Sequence, residues 1–308
     1  MNSKPVLITG GAGFIGSHVS DALLAKGYRV RILDNLSTGK RTNLQIKHPH
    51  LEFILGDVAD AQTVEMAVNG CQSVIHLAAV ASVQASVDDP VATHQANFIG
   101  TLNVCEAMRR QGLKRVLYAS SAAIYGETNS PVIHEDAQKA PLTPYASDKL
   151  AGEHYLEFYQ RAHGIDPVVF RFFNIFGPRQ DPSSPYSGVI SIFCERALKG
   201  LPITVFGDGQ QTRDFFFVAD LVKLIVQALE MSESPQKPIN IGHNGSTNLN
   251  EVLSVLSDIL GTALDIRYED ARPGDIRHSR ANNDRLINYF GIQEPTHFRE
   301  GLATLISV

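Results

Sequence analysis

The chain has 308 residues, a formal net charge of -5 and 44% hydrophobic residues, which suits a soluble protein of one large domain or two lobes. The negative balance argues against a generic nucleic-acid binder, and three scattered cysteines (Cys71, Cys105, Cys194) argue against a disulfide framework or a metal site. No apolar run approaches the roughly 18 residues needed to span a bilayer, and the opening MNSKPVLITGG enters a strand at once, so no membrane segment and a cytoplasmic location are expected.

In chain order, PVLITG reads as a buried strand and Phe14 to Lys26 as an amphipathic helix stopped by Gly27. YRVRILD, LEFILGD and SVIHLAA are three further strands. One long helical pattern covers Val91 to Arg110, closed by Gly112, and KRVLYASS is the next strand. Tyr145 to His163 is a second long helix, ended by Gly164 before the strand DPVVFRF. Strands alternating with helices at this spacing predict an α/β fold with a doubly wound parallel (Rossmann) sheet, whose ligands gather at the carboxyl ends of the strands.

After Asn174 the texture changes. GPRQDPSSPYSG reads as a long loop. Shorter elements follow: a helix from about Val189 to Lys199, strands PITVFG and TRDFFFV, a helix Ala219 to Glu230, the strand PINIG, a helix near Asn248 to Leu260 and a last helical stretch. The expected organisation is a nucleotide-binding domain of residues 1–173 plus about 214–242, and a smaller α/β substrate lobe of about 174–213 plus 243–308.

TGGAGFIGSH carries Gly11, Gly13 and Gly16 in a G-x-G-x-x-G frame, and Gly10, Gly13 and Gly16 in a G-x-x-G-x-x-G frame, between the first strand and first helix. Glycine permits the tight turn and lets a pyrophosphate approach N–H groups at a helix N-terminus. Asp34 ends the second strand about 20 residues on, where an acid can take ribose hydroxyls and disfavour a 2'-phosphate, so NAD is expected over NADP. Its neighbour Asn35 and the pair Asp57-Val58 are assigned to the same cofactor, though Asp57 can equally be a helix cap. Tyr145 and Lys149 in PYASDK are four apart and share a helix face. An ammonium near a phenol lowers the phenol's pKa, which makes Tyr145 usable as a general base, and Ser121 at a strand end can hydrogen-bond the reacting hydroxyl.

TGGAGFIGSH, HLAA, SSAAIYG, PYASDK and RFFNIFGPR together resemble the extended short-chain dehydrogenase/reductases that act on nucleotide sugars. The resemblance implies a tightly held NAD, a UDP-sugar between two lobes and a homodimer formed through the two long helices. It implies that Phe14, Ile15, Ala78, Ala79 and Asn97 line the cofactor, that Lys149 also holds the nicotinamide ribose, and that Asn174 and Arg213 lie along the nucleotide sugar. Val189, Thr204 and Phe206 match segments that line the uridine, and Arg272 and Asp275 in RPGD match the family's late substrate loop. A guanidinium fork suits phosphate oxygens. Phe172 stands where many relatives have tyrosine.

The reaction follows from what stands after Ser121. Dehydratases of this family carry Asp-Glu at the positions of Ala122 and Ala123; two alanines transfer no proton. The resemblance then implies oxidation at C4 by NAD with Tyr145 as the base, followed by hydride return to the opposite face, which is C4 epimerisation; a simple reductase of the same family would need the NADPH that Asp34 disfavours. By the same resemblance, Ser279, four residues after Asp275, matches the position that borders sugar C2 in these epimerases, where hexose-only members tend to carry tyrosine. RPGDIRHS resembles the bacterial UDP-N-acetylglucosamine 4-epimerases, and the small serine leaves room for an acetamido group, so UDP-GlcNAc/UDP-GalNAc interconversion is expected. Two alternatives remain at this point: a UDP-uronate 4-epimerase using Arg277 or His278, and a non-catalytic NAD-sensing protein on the same scaffold.

Overall fold

The computed structural model describes residues 4–128, 130–182, 188–271, 277–291 and 295–306. In chain order the first run is β1 (Val6–Thr9), α1 (Phe14–Ala25), β2 (Val30–Asp34), β3 (Leu51–Leu55), α2 (Ala61–Val68), β4 (Ser73–His76), α3 (Val83–Asp88), α4 (Pro90–His94), α5 (Gly100–Gln111), β5 (Arg115–Ser121), α6 (Pro144–His163) and β6 (Asp166–Phe172). The second run is β7 (Asn174–Phe176), α7 (Val189–Leu198), β8 (Ile203–Phe206), β9 (Thr212–Arg213), β10 (Phe215–Phe217), α8 (Val218–Glu230), β11 (Ile239–Ile241), β12 (Thr247–Asn248), α9 (Leu249–Leu260), β13 (Ile266–Glu269), β14 (His278–Ser279), α10 (Asp284–Phe290) and α11 (Phe298–Ile306).

The chain forms two compact units: residues 1–126, 138–171 and 222–239, and residues 127–137, 172–221 and 240–308. The main sheet has seven strands in the order β11-β6-β5-β4-β1-β2-β3, in which β3, β2, β1, β4 and β5 pair in parallel. Strand order reverses between β1 and β4, and in such sheets ligands bind outside the carboxyl ends at that switch point. Leu7, Val74, Val104, Val116 and Leu156 are fully buried in one continuous apolar cluster built by strands and covering helices. The second unit has short strands in three small groups: β10 with β7, β13 with β8, and β12-β9-β14.

Local chemistry explains the long helices. Thr143 caps α6, its side chain accepting from Ala146 N, Pro144 takes the first turn, and Gly164 closes it in the left-handed region at φ 66°. The expected helix Val91 to Arg110 is continuous in space but not uniform. Residues Gln95–Ile99 form a π turn between α4 and α5. Such turns distort helices where a side chain takes a particular position, here the buried Asn97.

Two expectations change, and one strand is added. TRDFFFV is not one strand: it breaks at Asp214 into β9 and β10, which join different sheets, because the carboxylate turns inward to gather backbone N–H groups. Ahead of the stretch GPRQDPSSPYSG, the residues Asn174–Phe176, given no element above, form β7, paired in parallel with β10. The unit boundaries also differ from the expected ones, since residues 127–137 and 214–221 pack with the second unit. One reason is on the chain: Ile133 bridges Ala281, and Ile133 N donates to the Arg280 carbonyl at 2.8 Å.

Candidate active site

The carboxyl ends of β1, β2, β4 and β5 gather most of the expected site residues of the first unit. Gly10 closes β1 at φ +68°, a conformation that disfavours a side chain, and a Cβ there would stand 2.7 Å from Ala78 N. A Cβ on Gly16 would run into the Gly10 carbonyl. Gly13 caps α1 without any side-chain hydrogen bond, which leaves first-turn N–H groups, those of Phe14 and Ile15 included, for an anion. This glycine cradle over a helix N-terminus fits the pyrophosphate of a dinucleotide.

The Asp34 carboxylate is buried beside that cradle. Its Oδ2 accepts from Ala12 N at 2.9 Å and its Oδ1 from Leu36 N at 2.8 Å. Past β3, Asp57 accepts from Asn35 Nδ2 at 2.8 Å and from Ala59 N at 2.8 Å, so it ties Asn35 down and also shapes its own turn; Val58 is buried beneath. After β4 the loop through Ala78, Ala79 and Val80 is held at two points. Thr9 Oγ1 accepts from Ala78 N at 3.2 Å. Asn97 engages Val80 with both ends of its amide, at 2.7 and 3.2 Å. Asn97 thus meets the loop's backbone, a role that spacing along one helix could not disclose.

Behind this loop lies a chain of buried hydroxyls and imidazole that the sequence reading missed. His76 shares hydrogen bonds with Thr9 Oγ1 at 2.7 Å and Thr101 Oγ1 at 3.0 Å, and Thr101 donates to the Asn97 carbonyl at 2.6 Å. Burial, helped by the nearby Lys149 charge, lowers the His76 pKa to about 3, so the ring is neutral across the physiological range.

At the end of β5, Ser121 accepts from Ala123 N at 3.1 Å and hydrogen-bonds Tyr145. Ala122 and Ala123 lie on the short 3-10 turn that follows and offer no titratable group. Lys149 Nζ lies 5.9 Å from the Tyr145 ring centre and 5.1 Å from that of Tyr118, and donates to the Ala119 carbonyl at 2.7 Å. The structure corrects the expected electrostatics here. Burial raises the Tyr145 phenol above its usual 10.0, against a smaller lowering by Ser121, and burial brings Lys149 down to about 8. Desolvation dominates because the ammonium is spent on a carbonyl and not in contact with the phenol.

The catalytic-type helix is fixed against the sheet by a second buried network. Glu153, one turn after Lys149, pairs with Arg171 at 2.7 Å and accepts from Ser120 Oγ at 2.5 Å. Arg171 also donates to Tyr125 Oη at 2.8 Å. Gly152 allows the close approach, since a Cβ there would stand 2.8 Å from the Tyr118 ring carbon Cζ. The four-residue step from Lys149 to Glu153 was a legible signal for this, on the same helix face.

In the second unit, Arg213 and Ser279 are register partners in the β9–β14 pair. Asn174 N and Nδ2 both donate to the Asp214 carbonyl, at 3.2 and 3.4 Å, which brings Asn174 to the same place. Thr204 and Phe206 lie on β8, joined to this group by Gln211 Nε2 donating to the Phe206 carbonyl at 2.7 Å. Val189 opens α7. Arg272 and Asp275 lie outside the described residues. Arg277 is held by Asp208 in a two-bonded pair of 3.0 and 2.8 Å, and His278 Nδ1 shares a bond with Thr212 Oγ1 at 2.9 Å. Among the described residues no group of His, Cys, Asp or Glu could hold a metal, and no helix is long and apolar enough to cross a membrane. The three cysteines are free and buried, and burial pushes their thiols up to about 11 to 12.

Comparisons with known proteins agree with this geometry. The model of the NAD dependent epimerase/dehydratase family matches residues 6–242. A UDP-glucose 4-epimerase of Mycolicibacterium smegmatis is 37% identical over 304 residues, covering 97% of this chain and 96% of its own. Among solved structures, a UDP-N-acetylglucosamine 4-epimerase from Methanobrevibacter ruminantium, in complex with UDP-N-acetylmuramic acid, superimposes with a TM-score of 0.94 at 38% identity, covering 100% and 98% of the two chains. A Thermus thermophilus UDP-glucose 4-epimerase complexed with NAD gives a TM-score of 0.90 at 38% identity and 98% coverage of both chains.

Proposed function

The chain belongs to the NAD dependent epimerase/dehydratase family, and on that premise we propose that it is a UDP-sugar 4-epimerase whose preferred pair is UDP-GlcNAc/UDP-GalNAc. The observation that carries the reaction type is Tyr145 hydrogen-bonded to Ser121, with Lys149 one turn on and two alanines where a dehydratase needs an acid and a base.

The first unit is assigned to NAD, with Gly10, Gly13, Phe14, Ile15 and Gly16 around the pyrophosphate, Asp34 and Asn35 at the adenosine ribose, Asp57 and Val58 near the adenine, and Ala78, Ala79, Asn97 and Lys149 toward the nicotinamide. The second is assigned to the UDP-sugar, with Arg213, Arg272 and Asp275 on the UDP, Asn174 beside the sugar, and Val189, Thr204 and Phe206 on the uridine. Bound NAD supplies the acceptor and later the donor of the C4 hydride, and its oxidised ring carries a positive charge of the kind that favours phenolate. Tyr145 removes the C4 hydroxyl proton and gives it back after the keto sugar has turned over. Ser121 holds that hydroxyl. Ala122 and Ala123 move no proton, so the sugar keeps its C6 hydroxyl.

Ser279 supports the acetylated substrate, being small and held in register beside Arg213. Arg277 and His278, the candidates for a uronate carboxylate, bond Asp208 and Thr212 respectively, and the UDP-GlcA incubation below decides that alternative. Separate incubations with UDP-Glc, UDP-GlcNAc and UDP-GlcA, resolving the C4 epimers of each, test the function. No epimer of any of them would sink it. Ser279→Tyr is expected to cut kcat/KM for UDP-GlcNAc by at least about 100-fold, a loss of the size that steric exclusion can give, while UDP-Glc turnover stays within a few-fold. Equal survival of both activities would remove Ser279 as the gate.

We assign a homodimer to the exposed apolar face of α3, α4 and α6, where Val83, Val87, Val91, Tyr155 and Phe158 remain open to solvent. Apolar area of this kind marks interaction surfaces. Light scattering is expected to give twice the 33.7 kDa chain mass, and Val91→Asp combined with Phe158→Asp to give the monomer; a monomeric wild type overturns the assignment.

A further inference from the structure

The second unit contains a buried carboxylate that the reaction does not use. Asp214 is entirely inaccessible to solvent, and its oxygens are filled by backbone N–H groups: His243 N at 2.9 Å on Oδ1, and Asn244 N at 3.1 Å and Ala281 N at 3.0 Å on Oδ2. Gly245 N adds a further backbone bond. A buried carboxylate is costly unless hydrogen-bonded, and each of these charge-assisted bonds is stronger than a neutral one.

The loop 242–245 is shaped to this one group. A Cβ on Gly242 would stand 2.5 Å from Asp214 Oδ2 and 2.6 Å from the Ala281 Cβ, so only glycine leaves the carboxylate its place. Asn244 adopts the left-handed conformation at φ 60° and is clamped by Arg280 Nε, which donates to its carbonyl at 2.9 Å and to its Oδ1 at 2.6 Å. Left-handed backbone at a non-glycine residue persists where surrounding contacts enforce it. N–H groups of successive residues turned onto one anion form a nest, here closed by the chain's own carboxylate.

The consequence lies in the register of β14. Its parallel pairing sets His278 opposite Thr212 and Ser279 opposite Arg213, and Ala281 N then bonds the very next residue of the facing strand, Asp214. A pair only two residues long is weakly specified by its own ladder. A slip of one position would bring His278 or Arg280 opposite Arg213, and either is far larger than serine. We propose that Asp214 is a positioning residue that locks Ser279 in register beside Arg213 and thereby sets acceptance of 2-acetamido sugars. This rests on the proposed epimerase reading.

The test is Asp214→Asn, which keeps the shape but turns an amide donor toward N–H donors. Three readouts separate the ideas: turnover of UDP-GlcNAc and of UDP-Glc, binding of UDP alone by calorimetry, and amide hydrogen exchange across residues 277–283. The expected result is faster exchange in that segment and a KM for UDP-GlcNAc raised by about ten-fold, with kcat within about two-fold. The ratio of kcat/KM values should move toward UDP-Glc by about five-fold. Gly242→Ala, which pushes on the same oxygen, should move all three readouts the same way. Unchanged exchange or an unchanged substrate ratio in a folded variant overturns the proposal. If neither variant folds, Asp214 is a determinant of the whole unit and the positioning role fails as well. A wild type that binds UDP but turns over neither sugar removes the epimerase reading instead, while the exchange data still report on the register lock.

Discussion

Tyr145→Phe is expected to lower kcat on the preferred UDP-hexose by about 10²–10⁴-fold, the usual size of a positioned acid–base group, with NAD affinity changed by less than about two-fold. The phenylalanine keeps the ring at 5.9 Å from Lys149 Nζ and removes only the hydroxyl that bonds Ser121. A loss in KM without loss in kcat would show that the hydroxyl binds and does not transfer the proton. The pH profile adds a second check. Burial brings Lys149 down to about 8, so its charge is present below that pH and is lost as pH rises through it. The wild-type kcat/KM should therefore fall on the alkaline side of about pH 8 if the ammonium assists Tyr145. Lys149→Arg, whose guanidinium stays charged, should carry that limb upward even if its turnover is low. A profile flat to pH 10 in the wild type would disconnect Lys149 from the proton transfer.

Glu153→Ala is expected to have the largest effect on stability, a loss of about 3–5 kcal/mol in urea unfolding, because it strands a buried guanidinium. Glu153 and Arg171 have side chains only 6% and 5% exposed, so solvent cannot take over the charge. Burial works against the Arg171 charge, yet the bonds to Glu153 and Tyr125 hold the guanidinium protonated beyond its ordinary range. The pair can be removed more cheaply as a whole: the double variant Glu153→Met with Arg171→Met should recover much of the loss, since neither partner is then left alone. A single-variant cost under about 1 kcal/mol would place the pair in water-like surroundings and contradict its burial. Because Ser120 Oγ bonds Glu153 and Ser120 precedes Ser121, any folded Glu153→Ala protein should also lose turnover, through displacement of α6 relative to β5.

Much of this protein was legible before its structure. Periodicity disclosed the alternating strands and helices, since a parallel sheet covered on both faces demands apolar strands and amphipathic helices at regular spacing. The glycine loop, Asp34 and the Tyr145–Lys149 step were legible because each depends on residues close along the chain. The long helix through Asn97 was read with the right extent but without its π turn, because the turn answers to the Val80 loop from elsewhere in the sequence.

What stayed hidden depends on distant partners. TRDFFFV is apolar enough to read as one strand, and only the N–H groups of His243, Asn244 and Ala281 explain why it breaks at Asp214. The same holds for the phenol of Tyr145: spacing placed an ammonium nearby, but burial decided the direction of its pKa. Sequence by itself determined the fold class and supplied the reacting groups proposed above, because these follow from local propensity and from residue chemistry. Tertiary structure alone decided the register of Ser279 beside Arg213 and the electrostatics of Tyr145, because desolvation and strand pairing are set by everything the chain brings around a residue.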